Sequence, residues 1–259
     1  MFEDRVAVVT GGGRGIGEAI AHVLAKHGAK VAVAARSVNE INHVADEIGG
    51  LAVEADVSKY DDVQRMIDET RDHFGKPVDI LVNNAAIIGP INSVNFLDID
   101  EWVNAQKINV NGVMYGIYAV LPGMVPSEWG RILNITSGAA RGTGISHLNA
   151  YSTSKAAVDM ITRNAALDIE GSGVTINGFS PGTVDTQMQT EIRETPIEQK
   201  GERTTAKFEE FYKSGSLTDP YTVATYAAAI IASDRNGEII DRREFPDDLE
   251  KIRQQFSIT

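Results

Sequence analysis

A tyrosine and a lysine stand four positions apart in "NAYSTSKAAVD", residues 149–159. Positions i and i+4 lie on one face of a helix, so Lys155 can sit beside Tyr151. Reduction of a carbonyl group needs a hydride on carbon and a proton on oxygen, and a free phenol with a pKa near ~10 exchanges that proton poorly at neutral pH. A neighbouring ammonium group favours the phenolate and lowers that pKa. The pair is therefore a proton donor with its tuning cation, or an ordinary pair on a helix surface.

A glycine-rich loop, "VVTGGGRGIG", places Gly11, Gly15 and Gly17 after the first apolar run and at the start of a helical pattern. Glycines permit a tight turn and let a phosphate approach a helix N-terminus, where unpaired N–H groups and the helix dipole favour anions. The order strand, glycine loop, helix predicts a dinucleotide site. The spacing is T-G-x-x-x-G-x-G instead of G-x-G-x-x-G.

The end of the second predicted strand indicates which dinucleotide binds. It reads "AARS", with Arg36 and Ser37 and no acid before Glu40. An NAD site usually has an acid here for the ribose hydroxyls, whereas an arginine can bind a 2′-phosphate through two charge-assisted hydrogen bonds. Arg14 in the glycine loop can face the same phosphate; alternatively, both arginines are solvated surface residues. We expect NADP(H) to be preferred, with NAD(H) as the alternative.

Asp56 ends the third predicted strand, in "EADVS". In a doubly wound sheet this end of the strand faces the crevice in which an adenine would lie, and the carboxylate could accept a hydrogen bond from the adenine amino group. The competing interpretation is that Asp56 only caps the helix that follows.

These residues need a framework, and the rest of the chain predicts one. Runs rich in Val, Ile and Ala predict strands at 5–10, 30–35, 51–56, 78–84, 130–137, 173–180 and 237–241. Helical patterns occupy 16–28, 37–48, 60–74, 98–125, 150–170 and 219–233. Continuous apolar strands that alternate with helices predict an α/β fold, with a doubly wound parallel sheet of about seven strands and helices on both faces. No linker or repeat marks a boundary, so we expect one Rossmann-like domain over 1–259.

Composition excludes several function classes. The 259 residues carry a net charge of −12, which argues against a broad nucleic-acid or anionic-membrane surface. No apolar run is long enough to span a bilayer and the N-terminus is not a secretory signal, so a cytoplasmic protein is expected. There are no cysteines, which excludes disulfides and thiolate chemistry. The five histidines are scattered without metal-ligand spacing, so no metal site is predicted.

Seven ordered motifs make the chain resemble the short-chain dehydrogenases/reductases over residues 5–186. They are "TGGGRGIG", "ADV" at 55–57, "NNAA" at 83–86, "KINVNG" at 107–112, "NITS" at 134–137, "YSTSK" at 151–155 and "SPGTVDT" at 180–186. Within this family the chain is similar to the single-domain, NADP-preferring carbonyl and 3-oxoacyl thioester reductases. The resemblance implies a nicotinamide cofactor, a small carbonyl or alcohol substrate, and a homo-oligomer, tetramer or dimer.

The resemblance also implies four catalytic residues: Asn109, Ser137, Tyr151 and Lys155. Ser137 would hydrogen-bond the substrate oxygen as charge develops there. Lys155 and the positive nicotinamide of the oxidised cofactor would lower the pKa of Tyr151. Asn109 would hold a water that links Lys155 to solvent.

The implied cofactor site is larger. Asn83 and Asn84 would brace the sheet and the glycine loop, while the Val184 backbone and the Thr186 hydroxyl would hold the nicotinamide carboxamide. The complete predicted set is Gly11, Arg14, Gly15, Ile16, Gly17, Arg36, Ser37, Asp56, Val57, Asn83, Tyr151, Lys155, Val184 and Thr186.

Several stretches depart from the family pattern. Ala86 replaces a usual glycine, and the loop between Ser137 and Tyr151 is one residue longer than is common. Within that loop Arg141, His147 and Asn149 are either rim residues or substrate contacts.

The C-terminal part of the chain departs further. Residues 185–216 are polar and charged, which predicts a pair of short helices over the site, a substrate lid, or a solvated excursion. From 242 to 259, Arg242 and Arg243 replace a usual Gly-Gly, and the charged tail is expected to be loosely held.

Three functions compete. The first is hydride transfer between NADP(H) and a carbonyl or secondary alcohol, the second is an NADP(H)-binding sensor or scaffold with little turnover, and the third is a dehydratase or epimerase on the same scaffold. The substrate is not evident from the sequence. Ile87, Ile88, Ile145 and Met188 either line a partly apolar pocket or belong to the core.

Overall fold

The computed structural model describes residues 1–142 and 144–256. Its strands form one seven-stranded sheet in the order β3-β2-β1-β4-β5-β6-β7, and every neighbouring pair is parallel. The strands are Val6–Thr10 (β1), Lys30–Ala35 (β2), Leu51–Glu54 (β3), Ile80–Asn83 (β4), Gly130–Ile135 (β5), Val174–Ser180 (β6) and Ile239–Asp241 (β7). The order reverses between β1 and β4, which confirms the predicted doubly wound α/β fold and opens a crevice at the carboxyl ends of these strands.

Helices cover both faces of the sheet. They are Gly15–Lys26 (α1), Val38–Ile48 (α2), Tyr60–Phe74 (α3), Ile99–Gln106 (α4), Gly112–Met124 (α5), Asn149–Asp168 (α6), Gln187–Glu194 (α7), Ile197–Lys213 (α8), Pro220–Ile231 (α9) and Asp247–Arg253 (α10). Alternate side chains of β1 belong to two apolar clusters on opposite faces of the sheet. Ala7 and Val9 pack in the cluster with α1, α2 and α9. Val6 and Val8 pack in the cluster with α3, α5 and α6. Both faces are therefore buried, which explains the continuous apolar strands.

The helix predicted over 98–125 is confirmed by a continuous helical stretch over 99–124, which contains one feature that the sequence does not indicate. A π-helical turn, Lys107–Asn111, separates α4 from α5. At this turn the Asn109 side chain accepts a hydrogen bond from the Ile87 N–H (2.9 Å) and donates one to the Ile87 carbonyl (2.8 Å). The apolar pattern is compatible with a continuous helix, so the sequence does not signal the wider turn.

The C-terminal tail is not loosely held, contrary to prediction. After a 3-10 turn at Arg242–Glu244 the chain forms α10 and a second 3-10 turn, Gln254–Phe256. Leu249 and Phe256 are fully buried, and the Phe256 ring stacks on Phe2 with 5.5 Å between centroids. Two well-spaced apolar side chains thus anchor an otherwise charged segment. Residues 257–259 of the predicted tail lie outside the described residues.

Candidate active site

A cavity of about 650 Å³ opens at the carboxyl ends of the central strands. The glycine loop lies at one end, and α6, α7 and α8 enclose the other. The predicted site residues that line it are Gly11, Arg14, Gly15, Ile16, Arg36, Ser37, Asp56, Val57, Ser137, Tyr151, Lys155, Val184 and Thr186. Gly17, Asn83 and Asn109 are not among the lining residues.

Backbone geometry explains the glycines. Gly11 and Gly15 have φ of 62° and 60°, in the left-handed region that favours glycine. A Cβ on Gly17 would lie 2.3 Å from the Gly11 carbonyl oxygen, so Gly17 lets α1 begin against the loop. The side-chain amide of Asn84 donates to the carbonyls of Thr10 (2.9 Å) and Gly11 (3.1 Å) and braces this loop as the sequence suggests.

Three charged residues surround the far end of the cavity. Arg36 is exposed, and no carboxylate of residues 1–142 or 144–256 lies within ion-pair distance of its guanidinium. Arg14 pairs with Glu40 at 3.4 Å, so its charge is partly committed. The Asp56 carboxylate accepts hydrogen bonds from the Ser58 hydroxyl (2.7 Å) and N–H (3.0 Å), in the turn before α3. Burial would raise the pKa of Asp56, but these bonds and the charge of Arg36 lower it.

Tyr151 and Lys155 occupy the first turns of α6. The Lys155 ammonium is buried, donates a 2.7 Å hydrogen bond to the Ile135 carbonyl, and lies 5.8 Å from the centre of the Tyr151 ring. Ser137 lies two residues after the end of β5 and caps a short 3-10 turn by accepting a hydrogen bond from the Ala139 N–H (3.1 Å). The end of β5 and the start of α6 thus bring a hydroxyl, a phenol and an ammonium to one wall of the cavity.

Burial sets the proton affinities of this group. It raises the pKa of the Tyr151 phenol, and a hydrogen bond with Ser137 offsets only part of that rise. The lowering of this pKa was predicted for the site that also holds the positive nicotinamide beside Lys155, and it stays a prediction. Burial also lowers the pKa of Lys155 to about 8, opposed by the carboxylate of Asp159.

Two predicted asparagines serve the framework. The Asn109 amide is fully buried, and its N–H groups bond to the Ile87 carbonyl and the Ser154 hydroxyl (3.0 Å), so a water could reach only its oxygen or the backbone. Its water-holding role stays a prediction. Asn83 is buried inside the sheet, where its side-chain amide donates a hydrogen bond to Asn134 (2.9 Å). It does not line the cavity, so the predicted direct contact between Asn83 and the cofactor is wrong.

The long loop after Ser137 contributes one of its three candidates. Arg141 lines the cavity. Asn149 instead accepts a hydrogen bond from the Trp102 indole (2.8 Å), and His147 bonds to Ser146 (2.7 Å) and packs beside Gly201 in α8. Thr143 of this loop lies outside the described residues.

The sequence did not predict a charged network that borders the cavity near Ser137 and Lys155. The buried Asp241 carboxylate accepts two 2.9 Å hydrogen bonds from the Arg243 guanidinium and one of 3.0 Å from Ser180. Arg141 lies 3.5 Å from Asp241 and 3.9 Å from the buried Asp159. Only the i+4 spacing of Asp159 from Lys155 could have indicated this connection.

Away from the cavity, one histidine meets two carboxylates. Nε2 of His22 lies 3.3 Å from Glu47, and ligand atoms of Glu18, His22 and Glu47 all fall within 4.8 Å of one another. Spacing along the chain did not indicate this cluster, because it joins α1 to α2. Among the described residues no helix is both long and apolar enough to cross a membrane.

Comparison with known proteins decides the family. Residues 5–197 match the model of the short chain dehydrogenases. The chain belongs to this family. The chain is 36% identical to an uncharacterized oxidoreductase of Staphylococcus aureus over 194 residues, which cover 73% of this chain and 81% of that protein. The match confirms the family resemblance that the motifs indicated.

Two other relatives are informative about chemistry. A cyclohexanol dehydrogenase of Acinetobacter sp. is 30% identical over 238 residues, 90% of each chain. The crystal structure of a 3-ketoacyl-(acyl-carrier-protein) reductase from Brucella melitensis, complexed with NADH, superposes with a TM-score of 0.82 at 30% identity, covering 93% of this chain and 98% of that one. The chain is therefore an oxidoreductase of the short-chain dehydrogenase family, whose members use nicotinamide cofactors and small-molecule substrates.

Proposed function

We propose that this protein transfers a hydride between NADP(H) and a carbonyl or secondary-alcohol substrate, with Tyr151 as the general acid and base. The observation that carries the proposal is the convergence of Ser137, Tyr151 and Lys155 on one wall of a cavity whose other end is the glycine loop. The cyclohexanol dehydrogenase relative supports an alcohol–ketone pair as the substrate type.

The residues present fit a dinucleotide. Gly11, Gly13 and Gly15 line the cavity without side chains, so a pyrophosphate can approach the backbone and the N-terminus of α1. Thr186 lies across from this loop, since a Cβ on Gly15 would come 3.3 Å from its methyl group. Val184 and Thr186 would hold the carboxamide, and Lys155 the adjacent ribose hydroxyls. When bound, the cofactor supplies or accepts the hydride.

The protein's own residues manage the proton. In the direction of reduction, Tyr151 gives its phenolic proton to the substrate oxygen while the Ser137 hydroxyl donates a hydrogen bond to that oxygen. The phenolate that remains is stabilised by the Lys155 ammonium, which the Ile135 carbonyl holds in place. In the direction of oxidation the same phenolate removes the alcohol proton.

The preference for NADP(H) rests on Arg36. Its guanidinium is exposed at the end of β2, borders the cavity and has no carboxylate partner among the described residues, so it is available for a 2′-phosphate. The NADH complex of the Brucella relative keeps NAD(H) as the alternative. We also propose that residues 1–259 act as one cytoplasmic domain, that α7 and α8 form its lid, and that it assembles as a homo-oligomer.

The test is consumption of NADPH and NADH, run in parallel, with a panel of ketones, aldehydes, quinones and β-keto thioesters. Faster consumption of NADPH with at least one carbonyl supports the proposal. Tight cofactor binding without hydride transfer to any member supports the sensor alternative instead. Formation of a dehydrated or epimerised product without net cofactor consumption supports the dehydratase or epimerase alternative.

A further inference from the structure

A third apolar cluster lies beside the reacting phenol, apart from the two clusters that pack the sheet. Its buried members are Ile88, Ile91, Leu148, Ile192 and Phe208, and Ile145, Tyr151, Met188 and Phe211 pack against them. All of them except Ile91 line the cavity. The four residues Ile87, Ile88, Ile145 and Met188, for which the sequence left pocket and core open, all line it as well. The substrate end of the cavity therefore has hydrocarbon walls.

The polar segment after β6 supplies four of these nine residues, Met188, Ile192, Phe208 and Phe211. Helices α7 and α8 turn their few apolar side chains inward, so Ile192 and Phe208 are buried while Tyr212 on the outer side of α8 is exposed. The Thr204 hydroxyl donates a 2.9 Å hydrogen bond to the Ser146 carbonyl and ties α8 to the loop before α6. The wall is thus held against Leu148 and Tyr151 by packing and by this bond.

Two of the cations on this side of the cavity already face a carboxylate. Arg243 is bound to Asp241 through two hydrogen bonds, and Arg141 lies 3.5 Å from the same carboxylate. Lys207 is exposed at the mouth, and the carboxylate of Glu191 also borders the space. A charged substituent placed among Ile88, Leu148 and Phe208 would lose hydration to side chains that offer no hydrogen bond in return.

We infer that the substrate is a neutral ketone or secondary alcohol that carries a hydrocarbon group large enough to pack against this wall. This inference rests on the proposed function and names the substrate class of the same site. Phe208 is its specificity-determining residue, because it is the buried aromatic side chain that α8 contributes to the cluster containing Tyr151. Transfer of a hydrocarbon group from water to this apolar wall is favourable in free energy, whereas transfer of a carboxylate is unfavourable.

A matched pair of ketones tests the inference. Methyl 4-oxocyclohexanecarboxylate and the free 4-oxocyclohexanecarboxylate differ mainly in charge, and NADPH oxidation gives kcat/KM for each. We expect the neutral ester to be preferred by a factor of about 100 or more, since the site leaves the carboxylate unpaired. Equal use of the two, or preference for the acid, would overturn the inference.

Binding separates this inference from the proposed function. Saturation-transfer NMR on the protein with NADP⁺ detects either ketone without turnover. The ester alone could bind in this experiment and yet cause no NADPH oxidation in the kinetic assay. That result would support the apolar site and overturn the proposed hydride transfer to a carbonyl substrate. Binding of neither ketone would overturn the inference itself.

A charge placed in the wall should reverse the preference. In Phe208→Lys we expect kcat/KM for the acid to rise about tenfold and that for the ester to fall about tenfold, since an ammonium now faces the carboxylate. Tyr212→Lys puts the same charge on the exposed side of α8 and should leave the ratio within about twofold. An unchanged ratio in Phe208→Lys, with cofactor affinity and thermal unfolding near those of the parent, would contradict the assignment.

Discussion

The carboxylate of Asp159 lies buried one helical turn after Lys155, and it favours the charged form of that ammonium while burial opposes it. The pKa of Lys155 is consequently lowered to about 8, within reach of physiological pH. Because Arg141 lies near both Asp159 and Asp241, the proton affinity of Lys155 is connected to the end of the last strand.

Asp159→Asn should therefore change the pH dependence of catalysis. Without this carboxylate the pKa of Lys155 falls further, so less of the ammonium survives at pH 8. We expect kcat/KM at pH 8 to drop about threefold to tenfold and the loss of activity on the basic side to begin at lower pH. A pH–rate profile measures this. Asp168→Asn, on the exposed end of α6, is the control, and matching profiles for parent and Asp159→Asn would refute the connection.

Tyr151→Phe removes the proton donor and keeps the ring. We expect turnover to fall by a factor of about 10²–10⁴ or more, because general acid catalysis is lost, while the dissociation constant of NADPH stays within about threefold. Stopped-flow or steady-state NADPH oxidation, with fluorescence titration of the cofactor, provides both values. Tyr60→Phe, on the surface of α3, should behave like the parent. Retained turnover in Tyr151→Phe would assign proton transfer to another group.

Arg36→Ala should separate the two cofactors. Loss of the charge-assisted hydrogen bonds predicts a dissociation constant for NADPH about 10-fold to 100-fold higher, with that for NADH nearly unchanged. Arg14→Ala should have a smaller effect, because Arg14 already pairs with Glu40. Equal weakening of both cofactors in Arg36→Ala would show that Arg36 does not bind a 2′-phosphate.

Asp241→Asn tests the anchored C-terminal region. Burial opposes ionisation of Asp241, yet the bonds from Arg243 and Ser180 lower its pKa to about 2. A carboxyl whose pKa is lower in the folded than in the unfolded state stabilises the protein above the unfolded value of about 3.9, and that contribution is lost as pH falls toward 2.

We expect Asp241→Asn to lower the free energy of unfolding by about 3 kcal/mol at neutral pH, since Arg243 loses its partner. The difference from the parent should shrink between pH 4 and pH 2. Urea unfolding at several pH values measures both effects. Asp247→Asn, exposed at the start of α10, should match the parent, and a constant difference at every pH would contradict the assignment.

Local patterns predicted the framework well. Continuous apolar strands and i,i+4 spacing are properties of short segments, so the sheet, the glycine loop and the pairing of Tyr151 with Lys155 could be anticipated. Predicted strand ends differ from those observed by at most two residues. The order of seven motifs identified the family because their combination is rare, although each motif alone is common.

Features that depend on distant contacts were not predictable. Phe208 joins the cluster that packs against Tyr151 only because α8 folds back over the loop before α6. Asp241 lies near Arg141 only because β7 adds to the sheet beside β6. The raised pKa of Tyr151 likewise depends on burial, which the spacing of two residues does not reveal. The prediction of a loosely held tail was wrong because burial of Leu249 and Phe256 fixes the segment, although most of its other residues are polar or charged.

The π-helical turn at Lys107–Asn111 holds one residue more than an α-helical turn would. Removing one residue there would let the chain close into an ordinary α-helix, and α5 would keep its direction relative to α4. Ile117 and Val120 would therefore stay buried against the sheet. The change would fall on Asn109, whose side chain bonds to both backbone groups of Ile87 at this turn. A single-residue deletion in this stretch should therefore spare the fold and disturb the cavity wall that Ile87 forms.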